Sequence, residues 1–116
     1  MVAAANDANV IPDGTLNSYS ITSFSSEGPT DDYRIKPDIT GNGAGVYSSL
    51  SGSNSSYGSY NGTSMASPNV SGTAMLLQQH YNNVKGSFMR GATLKGLILH
   101  TAEDGGSNGP DAIYGW

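Results

Sequence analysis

Eight residues near the middle of the chain, Asn61-Gly62-Thr63-Ser64-Met65-Ala66-Ser67-Pro68, place a serine hydroxyl between a glycine and the first residues of a helical pattern. Glycine lets the backbone turn tightly, so the hydroxyl sits where a helix begins, among unpaired N–H groups and the positive end of the helix dipole. Those conditions suit a nucleophile. Attack of a serine on a carbonyl creates an oxyanion that fixed donors must meet, and one donor can be the serine's own backbone N–H. For an arbitrary Thr-Ser pair before a helix, the ordinary alternative is a simple N-cap. Both histidines carry less chemistry. His80 follows Gln78-Gln79 near a helix end and reads as a solvated or dipole-facing residue. His100, with Glu103 and Asp104 three and four positions on, reads as the polar end of a second helix.

The elements that must position Ser64 change character near residue 64. Short β-like pieces broken by Gly, Pro, Asn and Asp come before it, and helical spacing comes after. The expected strands are Val2 to Ala5, Tyr19 to Ser25, Pro37 to Thr40 and Gly45 to Ser49, separated by turn residues such as Pro12-Asp13-Gly14 and Gly28-Pro29-Thr30-Asp31. The serine-rich run from Ser48 to Tyr60 has linker composition and is expected to be a surface loop. From Met65 onward, Ala66, Val70, Ala74, Leu77 and Tyr81 recur at helical spacing, with Gly72 and Ala74 small enough for a close backbone neighbour. This predicts a long, largely buried helix starting near Ser64, where Pro68 is tolerated because a first-turn N–H seldom has a partner. Leu94, Leu97, Ile98 and Thr101 predict a second helix, with Thr93 as cap and Gly105-Gly106 as stop.

Composition narrows the possible partners. The 116 residues amount to one small domain, with five basic and nine acidic side chains. No positive stripe is available for phosphates, so a nucleic-acid partner is not expected, nor is a polybasic membrane contact. No run approaches the roughly 20 apolar residues of a membrane span. The absence of Cys removes thiolate nucleophiles, disulfides and thiolate metal sites. Low charge with abundant Ser, Asn, Gly and Tyr points to a secreted or cell-surface setting. Leu, Ile, Val and Phe total only 20 residues, a small apolar stock for a core. Three glycosylation sequons begin at Asn54, Asn61 and Asn69; the last two coincide with the serine motif and its flank and are read as coincidental.

Residues Gly62 to Gly72 resemble the nucleophile motif G-T-S-M-A-[ST]-P-[HN]-V-[AS]-G of the subtilisin-like serine peptidases. Phe24-Ser25-Ser26-Glu27-Gly28-Pro29 is similar to that family's F-S-S-x-G-P turn, and Arg34-Ile35-Lys36-Pro37-Asp38-Ile39 to its G-R-x-K-P-D-I segment, in the same order. Thr93 to Ala102 resembles the family's late helix, and Tyr114-Gly115-Trp116 the start of its Y-G-x-G segment. Tyr33 stands where Gly usually precedes the Arg, and Gly41-Asn42-Gly43 where many members have Ala-Pro-Gly. The resemblance implies an α/β fold. Residues 1–116 would form a single incomplete domain, the C-terminal part of a three-layer structure with a mostly parallel sheet.

The resemblance also implies roles. Ser64 would be the nucleophile of a serine endopeptidase acting through an acyl-enzyme, and Tyr60, Asn61, Gly62 and Thr63 would line the substrate, a protein or peptide. Subtilisin orders its triad Asp, His, Ser, and this chain has no His before Ser64. The chain alone is therefore expected to be inactive and to need a missing N-terminal part of the domain as partner, with self-association as another way to cover its long helix. Asn6 is read as part of a strand, not as the family's side-chain oxyanion donor. No cofactor is expected and no metal is assigned. Calcium, which many family members bind, is compatible with the full-length protein through acids such as Asp31, Asp32 and Asp38, although the twelve-residue EF-hand loop is absent. The alternative from another class is a non-catalytic peptide-binding or adhesin-like surface module.

Overall fold

The computed structural model describes residues 1–116. Three alanines start the architecture. Strand β1 (Val2–Ala5) buries Ala3, Ala4 and Ala5 and pairs in parallel with β4 (Ile39–Asn42), Val2 opposite Ile39 and Ala5 opposite Asn42. Between them, β2 (Asn9–Val10) and β3 (Leu16–Ser18) form a short antiparallel hairpin. Its turn is the expected Pro12-Asp13-Gly14, where the Asp13 carboxylate accepts the N–H of Thr15 at 2.9 Å. A second antiparallel hairpin joins β5 (Val46–Ser49) to β6 (Tyr57–Tyr60), followed by helices α1 (Thr63–Lys85) and α2 (Gly91–His100). Helix α1 packs across β1 and β4 and touches α2. The fold is α/β, but only the β1–β4 pair is parallel; the other two strand pairs run antiparallel.

Several expected boundaries move for identifiable reasons. The stretch Tyr19 to Ser25 is not a strand; only Ile21 bridges to Ala5. Side chains replace the ladder there. Thr22 donates both its N–H and its hydroxyl to the Ala4 carbonyl, at 2.9 and 2.8 Å, while Ser25 Oγ accepts the Ala4 N–H at 3.0 Å. The strand expected at Pro37 to Thr40 lies two residues later, as a proline without an N–H cannot donate to the ladder. The run Ser48 to Tyr60 is not one loop: its ends are strands and only Leu50 to Ser56 connects them. Thr93 lies inside α2 and caps nothing. Arg90 is the N-cap, and the helix ends at Thr101, well before Gly105.

Helix α1 runs four residues past Tyr81 and closes at Gly86, whose left-handed backbone returns an N–H to the Asn82 carbonyl at 2.8 Å. Its burial differs from expectation. Only Ala66 is buried, and Gly72 is exposed with nothing within 4 Å of where a Cβ would stand. Met75 and Leu76 are 74% and 69% exposed, and Val84 and Phe88 are exposed as well. The expected stripe does face inward, with Ala66 buried and Val70, Ala74, Leu77 and Tyr81 half-buried, but the narrow β1–β4 pair leaves the other sides of the helix open, so it is not the largely buried helix expected. Farther along, Gln78 clasps the chain before α2: its amide donates to the Met89 carbonyl at 3.0 Å and its carbonyl accepts the Met89 N–H at 2.8 Å.

The C-terminal segment closes against the strands. Thr40 donates its hydroxyl to the Tyr114 carbonyl at 2.7 Å, Gly28 its N–H to Ala112, and Trp116 its N–H to Asp38. The rings of Tyr19 and Tyr114 meet edge to face at 5.5 Å. Asp38, partly withdrawn from water, is faced by Lys36, the terminal amine of Met1 and Lys95, and this cationic company outweighs desolvation to hold its carboxyl far below the usual range.

Candidate active site at the start of helix α1

The site is built where the end of β4 meets the start of α1. Gly62 is the N-cap, with a positive φ of 151° that any other L-residue would adopt only under strain. Its N–H donates to the Gly43 carbonyl at 2.8 Å, while Gly43 in turn donates to Ala5 at 2.9 Å. The loop before α1, the residue after β4 and the end of β1 are thus linked in one chain of backbone hydrogen bonds. Gly43 is buried because the loop lies directly on it. A Cβ there would stand 2.6 Å from the Ala4 side chain and 2.7 Å from the Gly62 carbonyl. Gly41 meets the same constraint one step earlier, against Val70 of α1 at 2.7 Å. The departure Gly41-Asn42-Gly43 therefore has a local explanation: the helix enters too close for side chains.

Ser64 is the second residue of α1, and its side chain is exposed. It is not the N-cap. Gly62 holds that position, no side chain caps the helix, and the Ser64 hydroxyl forms no hydrogen bond within the chain. The Gly62 carbonyl accepts the N–H groups of Met65 (3.0 Å) and Ala66 (3.2 Å), which leaves the N–H groups of Thr63 and Ser64 without partners. A hydroxyl free to attack beside two free donors at a positive helix end can stabilise a developing oxyanion. The first turn contains no acidic side chain to oppose that charge.

The other expected site residues lie together on the approach to Ser64. Tyr60 ends β6 and is exposed, while Thr63 is half-buried at the helix start. Asn61 has a role that its position in the motif did not reveal: its Oδ1 accepts the Gly45 N–H at 2.6 Å, tying the two feet of the β5–β6 hairpin together near Ser64. Asn42 steadies the same corner, accepting from the Ala44 N–H and donating to Asp7. The glycine and asparagine spacing around residue 43 was the available signal.

The remaining polar candidates stay apart from this site. His80 and His100 are exposed at the far parts of α1 and α2. Asn6 donates its amide to Ser20 at 2.9 Å. Asp31, Asp32 and Asp38 do not converge: Asp32 pairs with Arg34, Asp38 with Lys36 and Lys95, and no group of three metal-ligating side chains forms.

Comparison with known proteins bears on the family and the fold. A model of the Subtilase family matches residues 2–116. A PII-type proteinase of Lacticaseibacillus paracasei is 35% identical over 91 residues, 78% of this chain and 5% of that protein. A PI-type proteinase of Lactococcus lactis subsp. cremoris is 35% identical over 79 residues, 68% of this chain and 4% of its own length. The C5a peptidase of Streptococcus pyogenes is 42% identical over 67 residues, 58% of this chain and 6% of the peptidase. The chain thus spans about a twentieth of these curated relatives. Among solved structures, that of the Clostridium perfringens CspB protease superposes with a TM-score of 0.72 at 24% identity, over 98% of this chain and 23% of the protease, a likeness of fold. With the family match running from Val2 to Trp116, the chain belongs to the subtilases, the family of subtilisin-like serine peptidases.

Proposed function

We propose that Ser64 is the nucleophile of a serine endopeptidase and that this chain supplies it, together with the substrate-facing residues Tyr60, Asn61, Gly62 and Thr63, to a longer polypeptide. The observation that carries this reading is the exposed Ser64 hydroxyl with no partner, beside its own free N–H at the first turn of α1. In the reaction Ser64 Oγ bonds to the scissile carbonyl carbon while its proton passes to a base, and the Ser64 N–H meets the oxyanion. Collapse breaks the C–N bond, the amine leaves with the proton, and water then hydrolyses the ester. Base and orienting acid are the family's His and Asp, contributed by the polypeptide outside these 116 residues. The setting is extracellular, in keeping with the low charge and the Ser, Asn, Gly and Tyr content, and no step requires a cofactor.

The open, stacked Tyr47–Tyr57 pair suits a second reading, a peptide-binding module that works without a base. The polypeptide that carries this chain decides between them. Treated with a fluorophosphonate, it should be labelled stoichiometrically at Ser64, and Ser64→Ala should abolish both labelling and turnover of a short peptide anilide. Turnover that survives Ser64→Ala would refute the assignment.

A further inference from the structure

Between Asp38 and Lys85 the chain contains no Asp, Glu, Lys or Arg, and the β5–β6 hairpin lies within that uncharged stretch. From Val46 to Tyr60 the hairpin is almost wholly Tyr, Ser, Gly and Asn, with Val46 and Leu50 as its aliphatic residues. The register places Ser49 opposite Tyr57 and Tyr47 opposite Ser59, so Tyr47 and Tyr57 share one face of the two-stranded sheet. Their rings stack, with centroids 5.8 Å apart and planes 19° apart, yet they remain 69% and 57% exposed. Tyr60, paired with Val46, lies on the opposite face. A stacked tyrosine pair left open to solvent is already ordered. It offers flat, amphipathic contact area at little further cost in side-chain entropy, and Ser and Asn around it supply adaptable hydrogen bonds, the same mixture that paratopes use to hold protein surfaces.

We infer that the Tyr47–Tyr57 face is a docking site for an uncharged segment of the polypeptide substrate, away from the bond to be cut, with prolyl or aromatic side chains stacking on the two rings. Two observations select this occupant. The hairpin is continuous with the candidate site: β6 runs through Tyr60 into Asn61-Gly62-Thr63-Ser64, and the Gly45–Asn61 and Gly62–Gly43 hydrogen bonds fix its feet. A chain held on the rings is therefore held at a set position relative to Ser64. The face also lacks charge, so it offers no ion pair to an acidic or basic segment, while the flat faces of Pro and Tyr match the rings. The inference rests on the proposed peptidase role for the purpose of docking, but docking itself needs no nucleophile, so the two can fail separately.

The test is binding of an acetylated, amidated decapeptide of Pro, Tyr, Gln and Ser to the polypeptide that carries this chain, with Ser64→Ala in every sample so that nothing is cut, followed by calorimetry. Tyr47→Ser with Tyr57→Ser should weaken binding at least tenfold. Tyr47→Phe with Tyr57→Phe keeps the rings and should bind within threefold of the parent, which separates loss of stacking from loss of folding. Raising salt from about 50 to 500 mM should change little, because screening acts on charges that are absent here. Absence of binding by the parent chain, equal binding by the serine variant, equal binding of a decapeptide with Lys and Glu in place of Pro and Tyr, or capture of chitohexaose instead of the peptide would each overturn the inference.

Discussion

The backbone N–H of Gly62 donates to the carbonyl of Gly43 at 2.8 Å, joining the residue that begins α1 to the end of β4. Position and orientation of Ser64 follow from that bond, since the helix can start in only one place once its N-cap is fastened to the parallel pair.

Adding one methyl group at Gly43 should disturb the whole junction. Gly43→Ala places a Cβ against Ala4, the Gly62 carbonyl and Ala66, all of which belong to rigid elements. Overpacking of this kind costs about 1–3 kcal/mol. Gly72→Ala is the matched control: the site is open, and helix propensity should stabilise the chain by about 0.5–1 kcal/mol. Urea unfolding of both variants checks the opposite signs.

The 116-residue chain by itself should not hydrolyse peptides. A serine hydroxyl is deprotonated only with a neighbouring base, and His80 stands about 24 Å along α1 from Ser64 at about 1.5 Å per residue, while His100 ends α2. In subtilisin, a member of this family, loss of a triad residue lowers turnover by roughly 10⁴ to 10⁶. Stopped-flow assay of an activated ester should show no acyl-enzyme burst; a stoichiometric burst would reveal a base within the chain.

Acid should loosen the C-terminal loop first. Partial burial would raise the Asp111 pKa, but the N–H groups of Tyr114 (2.7 Å), Ile113 (2.8 Å) and Ser107 (3.2 Å) donate to the carboxylate and leave it below its ordinary value. A depressed carboxyl pKa contributes stability that is present above the unfolded value of about 4 and is lost as pH falls through the folded one. Amide exchange at Ile113 and Tyr114, corrected for intrinsic rates, should therefore accelerate below about pH 4. Asp111→Asn should remove that dependence.

The uncovered side of α1 should drive association. Met75 and Leu76 of the helix and Phe88 just beyond it are exposed together around a groove that reaches Leu94. Apolar surface left in water is unfavourable by about 25 cal/mol per Å², so a second copy or the rest of the peptidase domain should cover it. Sedimentation at micromolar concentration should show species larger than a monomer, and Leu76→Lys should shift them toward monomer. A monomeric parent chain would remove this expectation.

The location of Ser64 was legible in the sequence because helix starts are local. Gly62, the serine and apolar residues at helical spacing lie within a few turns of one another and require no distant partner, although Pro68 is the sixth residue of α1, past the partnerless first turn, and costs the bond to the Ser64 carbonyl. Strand β1 was legible too, as a short apolar run bounded by polar residues. What lies between could not be read that way. Thr22 and Ser25 satisfy β1 with side chains instead of a strand, and Tyr47 stacks on Tyr57 only because a seven-residue connection folds β6 back onto β5. Such pairings depend on register between residues that periodicity treats separately. Burial was the other gap: spacing marks the apolar stripe of α1, but only the number of strands laid against it decides how much is covered. In this chain Ala66 is buried and Val70, Ala74, Leu77 and Tyr81 are half-buried along that stripe, while Met75, Leu76 and Val84, which lie off it, stay in water because two parallel strands are too few to surround the helix.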